Sequence, residues 1–222
     1  MDLNLIYEDN HILVVVKPRG VMVQKDSTGA NDFQSQLKEF LKRKYNKPGE
    51  AFLGIVHRLD QPVGGVMVFA KTSKAASRLS EQIRQHEWKK EYLAIVDGAP
   101  GQKIGVFEDY LVKDTESNRV FVSKRGTPRA KAAKLCYEVV KKARNGRSLL
   151  KIFLETGRSH QIRVQLASRN MPIVNDHKYS RNVKFGADIA LWAFAVEIIH
   201  PVTKEKMRFE EPMPADMEEL LF

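Results

Sequence analysis

Short apolar runs divided by polar breaks open the chain. Leu3 to Tyr7 and Ile12 to Val16 read as strands, with Glu8-Asp9-Asn10-His11 as the turn between them, and Lys17-Pro18-Arg19-Gly20 ends the second. From Asp32 to Tyr45 the period becomes helical. Phe33, Leu37, Phe40, Leu41 and Tyr45 share one face, Lys38, Lys42, Arg43 and Lys44 lie elsewhere, and Asn46 to Gly49 terminates the helix. The stretch Gly54 to Lys71 reads as strand, polar elbow, strand. Ile55 and Val56 enter, Val66 to Ala70 leave as a continuous apolar run of the buried type, and Pro62, Gly64 and Gly65 turn the chain between them. The elbow carries His57, Arg58 and Asp60.

Thr72 or Ser73 can cap a following helix that runs to about His86, with Ala75, Ala76, Leu79 and Ile83 as its buried stripe. Trp88 to Val96 returns to strand composition, and Tyr92 shares a strand face with Ala94 and Val96. Strands over 106–112, 120–123, 132–140 and 148–154, separated by turns at 114–118, 124–129 and 144–147, predict an antiparallel meander. Leu154 to Leu166 then reads as strand, glycine elbow and short helix. With Ser159 as cap, His160 and Arg163 project from one face while Ile162 and Leu166 pack inward. Strands at 191–199 and 206–209 and a short amphipathic helix from Ala215 to Phe222 complete the chain.

At 222 residues, with 43% hydrophobic and 29% charged content, the sequence can bury one sizeable core and is expected to form a single domain over 1–222. No apolar run approaches the ~18 residues of a membrane span, and the N-terminus lacks the basic start of a signal peptide, so the expectation is a cytoplasmic, monomeric protein. The single Cys136 excludes an internal disulfide and a multi-cysteine zinc site. Charge changes the picture more. Residues 113–169 hold 15 Lys and Arg against 4 Asp and Glu, while the remainder holds 22 against 23, so one block carries the whole excess behind the net +10. That is an electrostatic footprint for a polyanion, with nucleic acid as the leading partner. Its turns carry Lys124, Arg125, Arg129, Arg144 and Arg147.

An acid and a guanidinium two residues apart between buried strands cost desolvation energy that a merely structural turn avoids. The residues concerned also match a family. His57-Arg58-Leu59-Asp60 followed by Gly65-Val66-Met67-Val68-Phe69-Ala70-Lys71 resembles the central motif of the RluA-type RNA pseudouridine synthases. Lys17-Pro18-Arg19-Gly20, Lys90-Glu91-Tyr92-Leu93-Ala94, Thr156-Gly157-Arg158-Ser159-His160-Gln161-Ile162-Arg163 and the segment from Met171 to Tyr179 continue the likeness over roughly residues 5 to 214. It begins so early that the catalytic domain alone is expected, without the small N-terminal RNA-binding domain of many relatives. Where relatives commonly carry a hydroxyl pair, a His and a Gly, this chain has Val63-Gly64, Gln165 and Asn175.

The resemblance implies an α+β pseudouridine synthase fold, a mainly antiparallel mixed sheet with flanking helices, that isomerises uridine in structured ribosomal or transfer RNA. It implies Asp60 as the essential carboxylate, Arg163 as its ionic partner, Tyr92 against the target base, and Arg58 entering the RNA. On pattern alone Tyr92 reads first as an ordinary core tyrosine. His57 and His160 are expected as structural support, and Arg158 joins the basic residues as an RNA contact. A nearby arginine would oppose the desolvation of a buried carboxylate by roughly 1 to 3 pKa units. Attack on C1′, addition to C6 and removal of the C2′ proton are all open as first steps. No metal or cofactor is expected, since the isomerisation needs no energy source and the chain lacks the phosphate-loop, dinucleotide and zinc-deaminase motifs. A catalytically idle RNA-binding protein or RNA chaperone of the same fold would need the basic block but not Asp60 with Arg163. A hydrolase using His57 and Asp60 would need a metal cluster or a second dyad, and Ser159-His160 does not supply one because adjacent helical residues point apart.

Overall fold

The computed structural model describes residues 3–24, 32–46, 48–184 and 186–222. In chain order the elements are β1 (Leu5–Glu8), β2 (Ile12–Lys17), α1 (Phe33–Lys44), β3 (Gly54–Ile55), β4 (Gly64–Ala70), α2 (Ser73–Arg84) and β5 (Lys89–Asp97). There follow β6 (Ile104–Asp114), β7 (Arg119–Ser123), β8 (Lys131–Lys142), β9 (Arg147–Leu154), α3 (Gln161–Ala167), β10 (Leu191–Ile199), β11 (Lys206–Glu210) and α4 (Ala215–Glu218), which continues as one 3-10 turn over Glu219–Leu221. This is the α+β class, and every strand pairing within either unit is antiparallel. Among the described residues no helix is long and apolar enough to cross a membrane.

The chain divides into two compact units, Met1–Trp88 with Ala195–Glu211, and Lys89–Phe194 with Pro212–Phe222. In the first, β2 and β4 pair from Ile12↔Ala70 to Lys17↔Gly65, and every residue of β4 is buried. The apolar residues of these strands meet α2 and the last strands in a core of Ile12, Val14, Val66, Val68, Leu79, Trp88, Val196, Ile198 and Phe209, among others. Thr72 caps α2 by accepting the Ala75 N–H at 3.1 Å, and Gln82 ties the helix to the Ile199 carbonyl and to the Trp88 indole N–H. Asp32 caps α1 in the same way, through the Ser35 N–H.

Glu8 is the electrostatic clasp of this unit. Its carboxylate accepts from Lys44 and Lys71, both at 2.6 Å, and from the Tyr45 hydroxyl at 2.7 Å. Burial alone would raise its pKa, but these hydrogen bonds prevail and hold it at about 2, against an ordinary 4.5. A depressed carboxylate pKa contributes stability that is fully present above pH 4.5 and is lost as the pH falls through about 2. Glu8→Gln is therefore expected to lower the unfolding free energy by roughly 2 to 3 kcal/mol at neutral pH and to flatten the acid limb of the stability curve. Denaturant titrations across that window check this, and parallel curves for the two proteins would contradict it.

The second unit is antiparallel as expected, but it is not the plain meander the turns predict, because β8 pairs with β6 and β6 therefore lies between β7 and β8. β5 pairs with β9, β9 with β8, β8 with β6 and β6 with β7, from Tyr92↔Ile152 through Cys136↔Phe153 and Phe107↔Leu135 to Val112↔Phe121. Alternation places Tyr92, Leu150, Ile152, Leu135, Tyr137 and Phe107 on one buried face. Helix α3 covers part of this face, where Val164 joins Leu111, Val120 and Ala133, with Tyr179 packed beside them.

Candidate active site and RNA-contact residues

Asp60 opens a tight turn in which the Val63 N–H donates to its carbonyl at 3.0 Å. The turn is held from below by Lys17. This lysine ends β2 wholly buried, and its three N–H donors go to the carbonyls of Pro18 (2.8 Å), Val21 (2.6 Å) and Gln61 (3.1 Å). Gln61 returns a bond to the Gly20 carbonyl at 3.2 Å. The two turns that the sequence shows far apart are thus stapled together beside Asp60. Burial drives the Lys17 pKa down to about 8, and the negative charge of Asp60 opposes that fall. The sequence signal was a lysine directly after five apolar residues, which by itself reads only as the end of a strand.

His57 Nε2 accepts the Val68 N–H at 3.0 Å, and its ring stands edge-on to Trp88 with centroids 5.2 Å apart. A ring nitrogen that accepts a backbone N–H is unprotonated and committed to the strand, so His57 anchors the elbow. Arg58 is exposed and borders a polar cleft of about 410 Å³ shared with Gln24, Gln34, Ile55, Val56 and His57.

In the second unit the loop after β9 departs from the capping expected of it. Ser159 is not the cap of α3. His160 occupies that position with a left-handed backbone (φ 50°) and no side-chain cap bond. The Gln161 carboxamide takes over the turn, accepting from the Thr156 hydroxyl (2.8 Å) and the Arg158 N–H (3.0 Å) and donating to the Lys134 carbonyl (3.1 Å).

Arg163 is buried and forms a fork with Asp176, Nε to Oδ2 at 2.8 Å and Nη2 to Oδ1 at 2.7 Å. Asp176 also accepts the N–H groups of Lys178 and Tyr179, which fixes its carboxylate in the loop. The guanidinium lies 5.3 Å from the Tyr179 ring centroid, and the Tyr179 hydroxyl accepts from the Val120 N–H and bonds His160 Nδ1, both at 2.8 Å. Asp176 and Tyr179 lie in the segment that continues the family likeness, but nothing in the sequence signals that they hold Arg163, because neither stands at a recognisable spacing from it. They orient the second motif. Tyr92 is buried on β5, opposite Ile152.

The basic residues do not form one patch. Lys124, Arg125 and Arg129 are exposed in the loop before β8, and Arg158 is exposed in the loop after β9, its Nε donating to Ala132. Because β8 is 12 residues long, Arg144 and Arg147 fall at its other end, roughly 35 Å away. Arg147 is also occupied there, with Nε 3.3 Å from Asp97 and Nη1 donating to the Leu220 carbonyl. Removing one cation from a phosphate should reduce the salt slope of RNA binding by about 0.7 to 0.9. Neutralising Lys124, Arg125 and Arg129 together is expected to reduce it by about 2, and Arg144→Gln to leave it unchanged. Filter binding over a salt series checks this, and equal effects from both ends would contradict it.

A carboxylate on a doubly tethered turn, followed about a hundred residues later by a buried, bidentately held arginine, defines a class that comparison with known proteins identifies. The chain matches the RNA pseudouridylate synthase family over residues 11–168, a stretch that runs through both units. It is 34% identical to an uncharacterized RNA pseudouridine synthase of Bacillus subtilis, YhcT, covering 99% of this chain and 71% of that protein. It is 31% identical to ribosomal large subunit pseudouridine synthase C of Buchnera aphidicola (98% and 69% covered) and 34% identical to synthase D of Xanthomonas campestris (99% and 68%). Its fold is that of human RNA pseudouridylate synthase domain containing 4, with a TM-score of 0.81 at 24% identity over 97% of this chain and 90% of that one. The chain belongs to the RluA-type RNA pseudouridine synthases and is an isomerase acting on RNA.

Proposed function

We propose that this protein converts uridine to pseudouridine in ribosomal RNA, with Asp60 as the essential carboxylate. The observation that carries the reading is the fixation of the turn backbone that bears the half-buried Asp60, through Lys17 and Gln61, beside the Lys17 cation. The reaction breaks C1′–N1, turns the freed uracil, joins C5 to C1′, releases the C5 proton and leaves a proton on N1, so two bonds break and two form without a co-reactant. Asp60 is the carboxylate that chemistry requires. Tyr92 lies against the base, Arg163 supports the charge of Asp60, and Arg58 enters the RNA and helps keep the uridine unstacked, a step that costs a few kcal/mol. Exposure of Arg58 beside a polar cleft supports its part. The continuous family match supports reading residues 1–222 as one catalytic domain.

Ribosomal rather than transfer RNA is favoured because relatives at 31–34% identity are named ribosomal large subunit synthases. The test is to incubate the purified protein with separated ribosomal and transfer RNA from cells lacking the gene and to map pseudouridine by carbodiimide-dependent primer extension. New pseudouridine in ribosomal RNA alone is expected. Modification of transfer RNA alone would overturn the choice of target.

A further inference from the structure

One charged group on the Tyr92 strand takes no part in the isomerisation. Lys90 precedes Tyr92 by two residues on β5, so the two side chains leave the same face of the sheet. Its neighbours are otherwise satisfied. Glu91, on the opposite face, pairs with Lys151 at 2.9 Å, and Glu155 lies 3.5 Å from Lys134. Lys90 is half-buried, and among the described residues its ammonium has neither a hydrogen bond nor an ion pair. Burial lowers its pKa, and no partner appears among the causes to offset that.

Gly157, in the loop of the second motif, stands beside this ammonium. A Cβ added there would come within 3.4 Å of Lys90 Nζ. Gly157 does not have a left-handed backbone, so its conformation does not call for glycine. The missing side chain instead leaves the space beside Nζ open. That space lies at the end of the sheet where β9 delivers Arg158 and where the loop before β8 presents Lys124, Arg125 and Arg129. A cation removed from part of its water and given no partner is a cost in the free protein that an anionic ligand relieves. At a site for RNA, the anion that arrives with every nucleotide is the phosphodiester.

We propose that Lys90 binds a phosphodiester oxygen at or next to the target uridine, anchoring the nucleotide whose base lies against Tyr92. The assignment rests on the reading of Tyr92 as the base-facing residue. Lys90 is a positioning residue in this scheme, because it holds the backbone of the substrate and takes no part in bond changes at C1′ or C5. Its contribution should fall on binding.

The experiment compares wild type with Lys90→Met and Lys90→Arg on ribosomal RNA from cells lacking the gene, measuring initial rates of pseudouridine formation over a salt series. Lys90→Met is expected to raise KM about tenfold with kcat within about twofold of wild type. The slope of log(kcat/KM) against log salt should fall by about 0.7 to 0.9, the share of a single phosphate. Lys90→Arg, which keeps the charge, should recover most of the affinity. Thermal unfolding of Lys90→Met should be unchanged or slightly raised, since a poorly solvated charge has been removed. Active wild type with Lys90→Met unchanged in KM and slope would overturn the assignment and leave the functional reading standing. So would a loss confined to kcat, which would put Lys90 at the reacting atoms. Wild type that makes no pseudouridine would overturn the functional reading, and this proposal with it.

Discussion

Arg163→Ala is expected to destabilise the protein by about 3 to 5 kcal/mol, because it leaves the Asp176 carboxylate charged, wholly buried and without its guanidinium. Two backbone N–H groups from Lys178 and Tyr179 remain on that carboxylate and keep the loss from being larger. For a chain of this size the unfolding midpoint should drop by roughly 6 to 20 °C. Arg163→Lys should recover only part, since an ammonium cannot reproduce the two parallel N–H bonds of the fork. The double variant Arg163→Ala, Asp176→Ala should be more stable than Arg163→Ala alone, because no unpaired charge is then buried. Calorimetry on the four proteins checks this. A single-variant cost under about 1 kcal/mol would mean that the pair contributes little to the fold. Activity should also fall in Arg163→Ala, beyond what the unfolded fraction explains, if Arg163 supports the charge of Asp60.

Much of this was legible in the residues. The run Val66 to Ala70 follows from its unbroken apolar character, which matches burial of both faces, while the stripe of α2 and the strands β6 to β9 follow from side-chain period, since each has one more buried face. Strand ends were read short. β6 runs from Ile104 to Asp114 rather than 106–112, because ladder bonds continue past the last buried side chain into exposed residues that carry no periodic signal. Ser159 looked like a cap because its type suits one, but the Gln161 carboxamide satisfies the same turn from inside the helix. Asn175 shows a departure with a backbone cause. Its φ is 60°, a conformation in which glycine is free and asparagine is the best-tolerated alternative, so the glycine of relatives and the asparagine here meet one demand. The basic block misled for a geometric reason. Residues contiguous in sequence are carried to opposite ends by a long hairpin strand, so charge counted along the chain overstates charge gathered in space. The sequence placed Lys17 and Asp176 in segments that resemble the family but did not show their roles, which are to hold other groups through partners distant in sequence.

The second large effect rests on one functional group. Asp60→Asn keeps the shape of the side chain and leaves in place the backbone bonds that tether its turn, but an amide is far too weak a nucleophile or base to replace a carboxylate. Loss of the negative charge also removes repulsion toward phosphate, so affinity for RNA should hold or rise slightly. Lys17 then loses the charge that opposes its desolvation, and its pKa should fall further. The measurement that tests the central claim most directly is pseudouridine formation, with RNA binding measured in parallel, by wild type and Asp60→Asn on ribosomal RNA from cells lacking the gene. The result expected is that both proteins bind and only wild type makes pseudouridine. Conversion by Asp60→Asn at the wild-type rate would contradict the role of Asp60, and wild type that binds ribosomal RNA yet leaves every uridine unchanged would contradict the proposed function.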